Sequence, residues 1–244
     1  MPPLILIPAR MNSTRLPAKA LALIGGKPLI VHVLERALEA KVGRVAVATD
    51  SPEIAAAARA FGAEAVMTRG DHACGSDRVF EAAATLDPEG RCDVVVNLQG
   101  DQPFLPAGAL ASALALLEDE SVQIGTAAAP MAAEEADEAN AVKLVGSRIG
   151  PRRLRALYFT RARAPYGEGP LYHHLGVYAF RRGALARFAA LPVSELERRE
   201  QLEQLRALED GMRIDAALLD RAGVSVDTPR DLQAARDAAA RERQ

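Results

Sequence analysis

The chain is poor in the residues that build disulfide frameworks, metal clusters and nucleic-acid surfaces. Only Cys74 and Cys92 stand among 244 residues, too few for a small scaffold stapled by several bridges. There is no charged-then-apolar leader and no apolar run of about 18 residues, so neither export nor membrane insertion is expected. A cytoplasmic protein with reduced thiols follows. His72-Ala73-Cys74 has no second ligand pair at zinc spacing. A basic excess is also missing, with 30 Lys and Arg against 32 Asp and Glu. Phosphate backbones need clustered cations, so nucleic acid is not the expected partner. Two nucleotide-binding signatures are absent as well. Leu21 occupies the place of the first glycine of a Walker A loop and Pro28 that of its Ser or Thr, and no G-x-G-x-x-G follows a strand, which argues against a dehydrogenase.

What is present is a chain that can bury a large core, 49% hydrophobic and 25% charged. A single domain over 1–244 with an appended lobe at about 144–178 is expected. Leu4 to Ile7 is a short apolar run followed by a polar loop through Pro17 and an apolar-periodic stretch from Ile30 to Ala40, which predicts strand, loop and helix. Val45 to Thr49 repeats the strand, and Ser51-Pro52-Glu53 offers an N-cap, a proline at the first helical position and an early acid. Further strands are predicted at 63–67, 94–97, 124–129 and 174–180. Helices are predicted at 76–86, 107–118, 183–190, 194–210 and from Pro229, with Ser194 and Glu197 forming a capping box. Strands alternating with helices predict a mostly parallel sheet, whose ligands bind at the carboxyl ends of strands. From about Lys143 the alternation weakens, through a basic stretch at 148–155 and a Gly- and Pro-rich one at 164–172. The lobe is placed there.

The polar residues fall in the loops where such a sheet binds ligands. Directly after the first strand, the loop from Pro8 to Lys19 carries Arg10, Arg15 and Lys19, a set of cations suited to a polyanion, although a solvated basic loop would look similar. The strand Val94 to Asn97 runs into Gln99-Gly100-Asp101. A carboxylate at that edge suits Mg²⁺, which takes one or two protein carboxylates and fills its other positions with water and phosphate oxygens; a turn aspartate is the alternative. Asp227, before Thr228-Pro229, reads either as a second metal ligand or as a turn residue at the head of the last helix. The segment from Met67 to Arg78 can line a base pocket or cap a helix at Ser76. Arg161, His174 and Tyr178 offer a guanidinium, an imidazole and a phenol to an acidic sugar, with His174, Gly176 and Tyr178 on one strand face. Packed aromatics with satisfied polar tips are the alternative.

These stretches occur together and in order: Ile7-Pro8-Ala9-Arg10, Ser13 to Lys19, Gly26-Lys27-Pro28, Ala48-Thr49-Asp50, Asn97 to Asp101, His174 to Tyr178, Glu203 to Arg206 and Val226 to Pro229. In them the chain resembles, nearly end to end, the 3-deoxy-manno-octulosonate cytidylyltransferase family. The resemblance implies an α/β, Rossmann-like nucleotidyltransferase fold with a mixed, mostly parallel central sheet and a small inserted dimerisation lobe. It implies CTP and an acidic 3-deoxy sugar as substrates, Mg²⁺ as cofactor, a homodimer and a place in lipopolysaccharide assembly. Arg10, Arg15 and Lys19 would hold the triphosphate. Pro8, Ala9, Cys74, Gly75, Ser76 and Arg78 would approach cytidine, and Asp101 and Asp227 would ligate magnesium beside the nucleotide. Gln99, Arg161, His174, Tyr178, Glu203 and Gln204 would bind the sugar. Lys19, Arg10, Asp101 and Asp227 would carry catalysis.

The sequence departs from that family at Gln102, where a glutamate is usual, and at Cys74-Gly75-Ser76-Asp77-Arg78, where Ser-Gly-Thr-Glu-Arg is usual. The link from Arg161 to His174 is also shorter. A related acidic sugar, such as an amino-octulosonate or a nonulosonic acid, is the nearest alternative acceptor. A non-catalytic nucleotide sensor on the same fold is the alternative of a different class.

Overall fold

The computed structural model describes residues 1–13 and 15–241, the last by its backbone alone. Thr14, in the cationic loop, lies outside the described residues. The chain divides into two compact units, Met1–Ala107 with Gly223–Gln244, and Gly108–Ala222.

The first unit begins with β1 (Leu4–Ala9), the short β2 (Leu23–Ile24) and β3 (Lys27–Pro28), and α1 (Leu29–Glu39). It continues through β4 (Arg44–Thr49), α2 (Pro52–Ala60), β5 (Glu64–Met67), α3 (Gly75–Leu86) and β6 (Val94–Leu98). Its strands lie in the order β5-β4-β1-β6 and every pair is parallel. Leu4 to Ile7 are fully buried, which explains the unbroken apolar run of β1: a parallel strand covered on both faces has no polar side to show. Ser51 caps α2 by accepting a bond from the Ile54 amide, with Pro52 at the first helical position. Gly25 and Gly26, at φ 55° and 86°, make the left-handed two-residue turn that joins β2 to β3.

The chain leaves β1 for β4 and β5 on one side and returns to β6 on the other. The direction of winding therefore reverses between β1 and β6. In open α/β sheets this reversal opens a crevice at the carboxyl ends of the two strands. The loops after Ala9 and Leu98 both emerge there.

The second unit contains α4 (Ala109–Ala115), β7 (Ile124–Met131), β8 (Lys143–Gly150), β9 (Arg153–Thr160) and β10 (Leu171–Arg181). It closes with α5 (Arg182–Ala190), α6 (Glu195–Glu200), α7 (Gln204–Glu209) and β11 (Ile214–Leu218). The chain then returns to the first unit for α8 (Pro229–Arg241). The strand order is β10-β7-β11-β9-β8, with β8 meeting β10 again where Lys143 faces His173. Here β7 and β11 are parallel and the other pairs antiparallel, so the sheet is mixed, as expected.

Three expectations about elements are corrected. The region from 143 to 160 is an antiparallel hairpin, β8 and β9, whose arginines alternate with buried residues such as Leu154 and Ala156. The helix expected over 194–210 is two helices, because Gln201 takes a left-handed conformation at φ 54° and stops α6. The strand β11 was not anticipated, since Asp215 interrupts an alanine-rich stretch of low strand propensity. Asp215 is fully buried there and bonded to Arg153 and Arg213. The capping box is found as expected, Ser194 accepting from the Glu197 amide and Glu197 from the Ser194 amide.

Candidate active site

Lys19 opens a short 3₁₀ turn, Lys19–Leu21, immediately after Ala18, whose φ of 52° is unusual for a residue with a Cβ. Its ammonium group stands 3.1 Å from Asp101 Oδ2 and 3.0 Å from Asp227 Oδ1. The Arg15 guanidinium reaches the same oxygen of Asp227 at 3.1 Å. Lys19 and Asp227, 208 positions apart in sequence, thus meet at one point with Arg15 and Asp101. Burial pulls the Lys19 pKa down, but Asp101 and Asp227 outweigh it and raise it above the ordinary lysine value.

The main chain explains why both carboxylates reach this point. The Val226 amide donates to the Asp101 carbonyl at 3.0 Å, joining the segment that carries one aspartate to the loop that carries the other. Two glycines permit the close approach. A Cβ on Gly100 would lie 2.7 Å from the Pro8 carbonyl oxygen, and one on Gly223 2.0 Å from that of Phe104. Capping of α8 falls to Thr228 and Asp231. The Asp231 carboxylate accepts from the amides of Asp227 and Thr228, and the Thr228 hydroxyl accepts from the Asp231 amide. The Asp227 side chain is therefore released from the turn role that sequence left open to it.

The chemistry of Asp101 and Asp227 suits a metal ion. Oxygens from both converge on one ammonium cation, a stand-in for a metal ion, and hard oxygen donors of this kind suit Mg²⁺. Among the described residues no group of three or more His, Cys, Asp or Glu side chains is placed to hold a metal. A cation at this point would complete its shell with water and phosphate oxygens.

Around the pair, Pro8 and Ala9 end β1, and Arg10 is exposed just beyond. Cys74 precedes α3 without a side-chain capping bond, and the helix begins at Gly75. Ser76 is accordingly no cap: its hydroxyl accepts from Asn97 Nδ2 at 3.0 Å, tying α3 to the end of β6. Arg78 is buried, and its guanidinium bonds Thr68 Oγ1 at 2.5 Å and Asp50 Oδ2 at 3.0 Å. Asp50 and Thr68 were not picked out as contacts of that arginine. The run Ala48-Thr49-Asp50 had stood out as a motif, and only the parallel register of β4 and β5 brings Thr68 beside it. Gln102, the departure from the usual glutamate, is buried, with its amide 3.5 Å from Asp101 Oδ1.

Of the six residues assigned to the sugar, Gln99 lies in the first unit and the other five in the second. His174 is buried, with its ring 4.8 Å from that of Phe159 and 5.3 Å from that of Tyr178. The structure therefore brings His174 and Tyr178 together, although the β10–β7 register shifts between Leu175 and Tyr178. Thr126 Oγ1 donates its one proton to the Val177 carbonyl at 2.6 Å, so its 2.9 Å contact with His174 Nε2 requires the imidazole to donate. Burial first, and the neighbouring His173 second, lower the His174 pKa to about 3. The ring is neutral at physiological pH.

Arg161 spends its guanidinium on the carbonyls of Ala139, Glu200 and Gln201, closing the end of α6. Its own amide and the Thr160 hydroxyl both donate to the Glu200 carboxylate. Glu203 is partly buried just before α7, and Gln204 is buried, its side-chain nitrogen without a hydrogen-bond partner. Sequence reasoning passed over Glu200 and Thr126, since a lone glutamate in a helix and a threonine in an apolar strand carry no signal of their own.

A family profile described as cytidylyltransferase matches residues 4–214. The chain belongs to the cytidylyltransferase family. Curated relatives agree with that placement. A 3-deoxy-manno-octulosonate cytidylyltransferase of Nitrobacter winogradskyi is 62% identical over 234 residues, 96% of this chain and 92% of that one. One of Rhodopseudomonas palustris is 60% identical and covers 96% of both chains. Among solved structures, a CMP:2-keto-3-deoxy-manno-octonic acid synthetase complexed with CTP superposes with a TM-score of 0.89 at 39% identity, covering 99% of this chain and 100% of that one. An apo UDP-glucose pyrophosphorylase, at 16% identity and a TM-score of 0.72, shares the fold. The Rossmann-like nucleotidyltransferase fold expected from sequence is the one found.

Proposed function

We propose that the chain transfers CMP from CTP to the anomeric hydroxyl of 3-deoxy-D-manno-octulosonate, giving CMP-Kdo and pyrophosphate. The observation that carries this reading is the meeting of Lys19, Arg15, Asp101 and Asp227 at the reversal of the sheet, in a chain 60% or more identical to cytidylyltransferases for that sugar.

The reaction needs one bond made and one broken. The sugar's anomeric oxygen attacks the α-phosphorus, pyrophosphate leaves with the electron pair of the severed P–O bond, and the hydroxyl proton passes to solvent. Arg10, Arg15 and Lys19 hold the triphosphate, and Lys19 and the arginines offset the charge gathering on the leaving pyrophosphate. Asp101 and Asp227 would hold Mg²⁺, which when bound would supply neutralisation of phosphate charge. Pro8, Ala9, Cys74, Gly75 and Ser76 face cytidine, and Arg78 shapes that loop from within through Thr68 and Asp50. Gln99, His174, Tyr178, Glu203 and Gln204 recognise the acceptor, where the bare Nδ1 of a neutral His174 can accept a hydrogen bond from a sugar hydroxyl, and Arg161, engaged by the carbonyls of Ala139, Glu200 and Gln201, braces the segment before Glu203 and Gln204. Fixed groups of this kind lower the barrier by positioning and electrostatics, and no covalent intermediate is required.

The protein is read as a cytoplasmic homodimer acting in lipopolysaccharide assembly. Among the described residues no helix is long and apolar enough to cross a membrane, and neither Cys74 nor Cys92 is in a disulfide. The dimer is assigned to the lobe at about 144–178, in which the β8–β9 hairpin exposes Ile149 and Leu157.

The deciding experiment is pyrophosphate release with CTP and Mg²⁺, comparing 3-deoxy-manno-octulosonate with other acidic sugars, and CTP with ATP, UTP and GTP. Release that requires both CTP and that sugar is expected. Release only with another acidic sugar would move the assignment to a related acceptor, and none with any pair would favour a nucleotide sensor.

A further inference from the structure

The oxygens assigned to the metal already hold a cation that belongs to the chain. Lys19 Nζ lies 3.1 Å from Asp101 Oδ2 and 3.0 Å from Asp227 Oδ1, and Arg15 adds a second positive charge 3.1 Å from that same Asp227 oxygen. The side chains of Lys19, Asp101 and Asp227 are only 17%, 21% and 22% exposed, so water screens these charges less than it would at an open surface. A magnesium ion binds carboxylate oxygens at about 2.1 Å. Bound to either of these oxygens, it would lie within about 5 Å of the ammonium nitrogen. A divalent and a monovalent cation that close, sharing two carboxylates, repel each other strongly.

We propose that Lys19 is the resident occupant of the metal position in the nucleotide-free protein, and that a divalent cation enters only as the ammonium leaves. The inference rests on the reading of Asp101 and Asp227 as the metal pair. The triphosphate supplies the exchange, because its oxygens offer Lys19 and Arg15 new anionic partners while bringing ligands of their own to the metal. Lys19 thus has two successive partners, the carboxylates before nucleotide binds and the phosphates afterwards. Metal binding without nucleotide is weak as a consequence, and an ion is not held tightly in a site that has nothing to react.

The test uses Mn²⁺ as the probe, with free ion measured by electron paramagnetic resonance on the full chain without nucleotide. Lys19→Met is compared with wild type and with Lys27→Met, which removes an exposed lysine whose partner is Glu35. Lys19→Met is expected to tighten Mn²⁺ binding by about tenfold or more and Lys27→Met to change it by less than about twofold, within the usual range of coupling between sites. Adding Asp101→Asn to Lys19→Met is expected to abolish the gain. Equal binding by Lys19→Met and wild type, an equal gain in Lys27→Met, or a gain that survives Asp101→Asn would overturn the proposal.

A second measurement needs no variant. Saturating Mn²⁺ alone should raise the acetylation rate of Lys19 in the wild-type protein, followed by mass spectrometry, and an unchanged rate would also overturn the exchange. Failure of the functional reading looks different, since it appears as absent pyrophosphate release whatever the manganese data show.

Discussion

Asp101 and Asp227 each give one oxygen to the same ammonium, and neither is needed to cap the helix or turn beside it. Replacing either by asparagine keeps its shape and removes its charge. Turnover is expected to fall by roughly a hundred- to a thousandfold, the size seen when a fixed electrostatic group is lost from an active site. The far-ultraviolet circular dichroism spectrum should stay that of the wild type. Near-normal pyrophosphate release by either folded variant would remove the carboxylates from the chemistry. His174 makes a different prediction at this scale, one about stability. Its pKa is about 3 in the folded chain against an ordinary value of 6.5, so between those values the unfolded chain binds a proton that the folded one does not. Stability from the neutral ring is complete above pH 6.5 and is lost as the pH falls towards 3, by about 1.4 kcal/mol per pH unit. Denaturant midpoints measured from pH 7 to pH 4 should fall less steeply in His174→Phe than in wild type. Parallel slopes would mean that the imidazole is not held neutral.

The elements were legible where local chemistry decides them. Ser51 and Pro52 start α2 and Ser194 and Glu197 start α6, because a cap is made by residues three or four apart and needs nothing distant. The break at Gln201 was not legible, since glutamine gives no sign of a left-handed backbone. Nor was β11, whose buried Asp215 is tolerable only beside Arg153 and Arg213. The candidate site divides the same way. The loops that bear Lys19, Asp101 and Asp227 could be named from strand ends, but that Asp50 and Thr68 pin Arg78, or that Gly100 lies against Pro8, depends on strand order. Gly100 carries the prediction for this scale. Its substitution by alanine would set a Cβ 2.7 Å from the Pro8 carbonyl oxygen, a contact that two backbone segments must part to relieve. The loop bearing Asp101 moves with them, and a misplacement of about 1 Å can cost on the order of a hundredfold in rate. Gly100→Ala is expected to lower turnover by that order while shifting the thermal midpoint by a few degrees. Full activity would show that the loop can yield without carrying Asp101 away.

At the scale of the molecule, the hairpin β8–β9 bears on assembly. Its register slips twice, once between Val145 and Gly146 and once between Arg148 and Gly150. The residues left without a partner are Leu157 on one strand and Ile149 on the other. They are also the large apolar side chains that the hairpin exposes, at 56% and 45%. A bulge re-aims the side chain that it frees. Two bulges that both turn an aliphatic residue outward fit a surface that another chain covers better than one that faces water. Exposed single leucines are common and need no explanation, so the argument rests on the coincidence of the bulges with the apolar residues. Sedimentation equilibrium of the wild-type chain is expected to give twice the monomer mass. Leu157→Asp and Ile149→Asp, which place a charge where burial is proposed, should move the equilibrium towards monomer, most strongly when combined. Leu23, 53% exposed and outside the hairpin, supplies the control, and Leu23→Asp should leave the mass unchanged. A dimer equally stable in the combined variant would place the interface elsewhere on the chain.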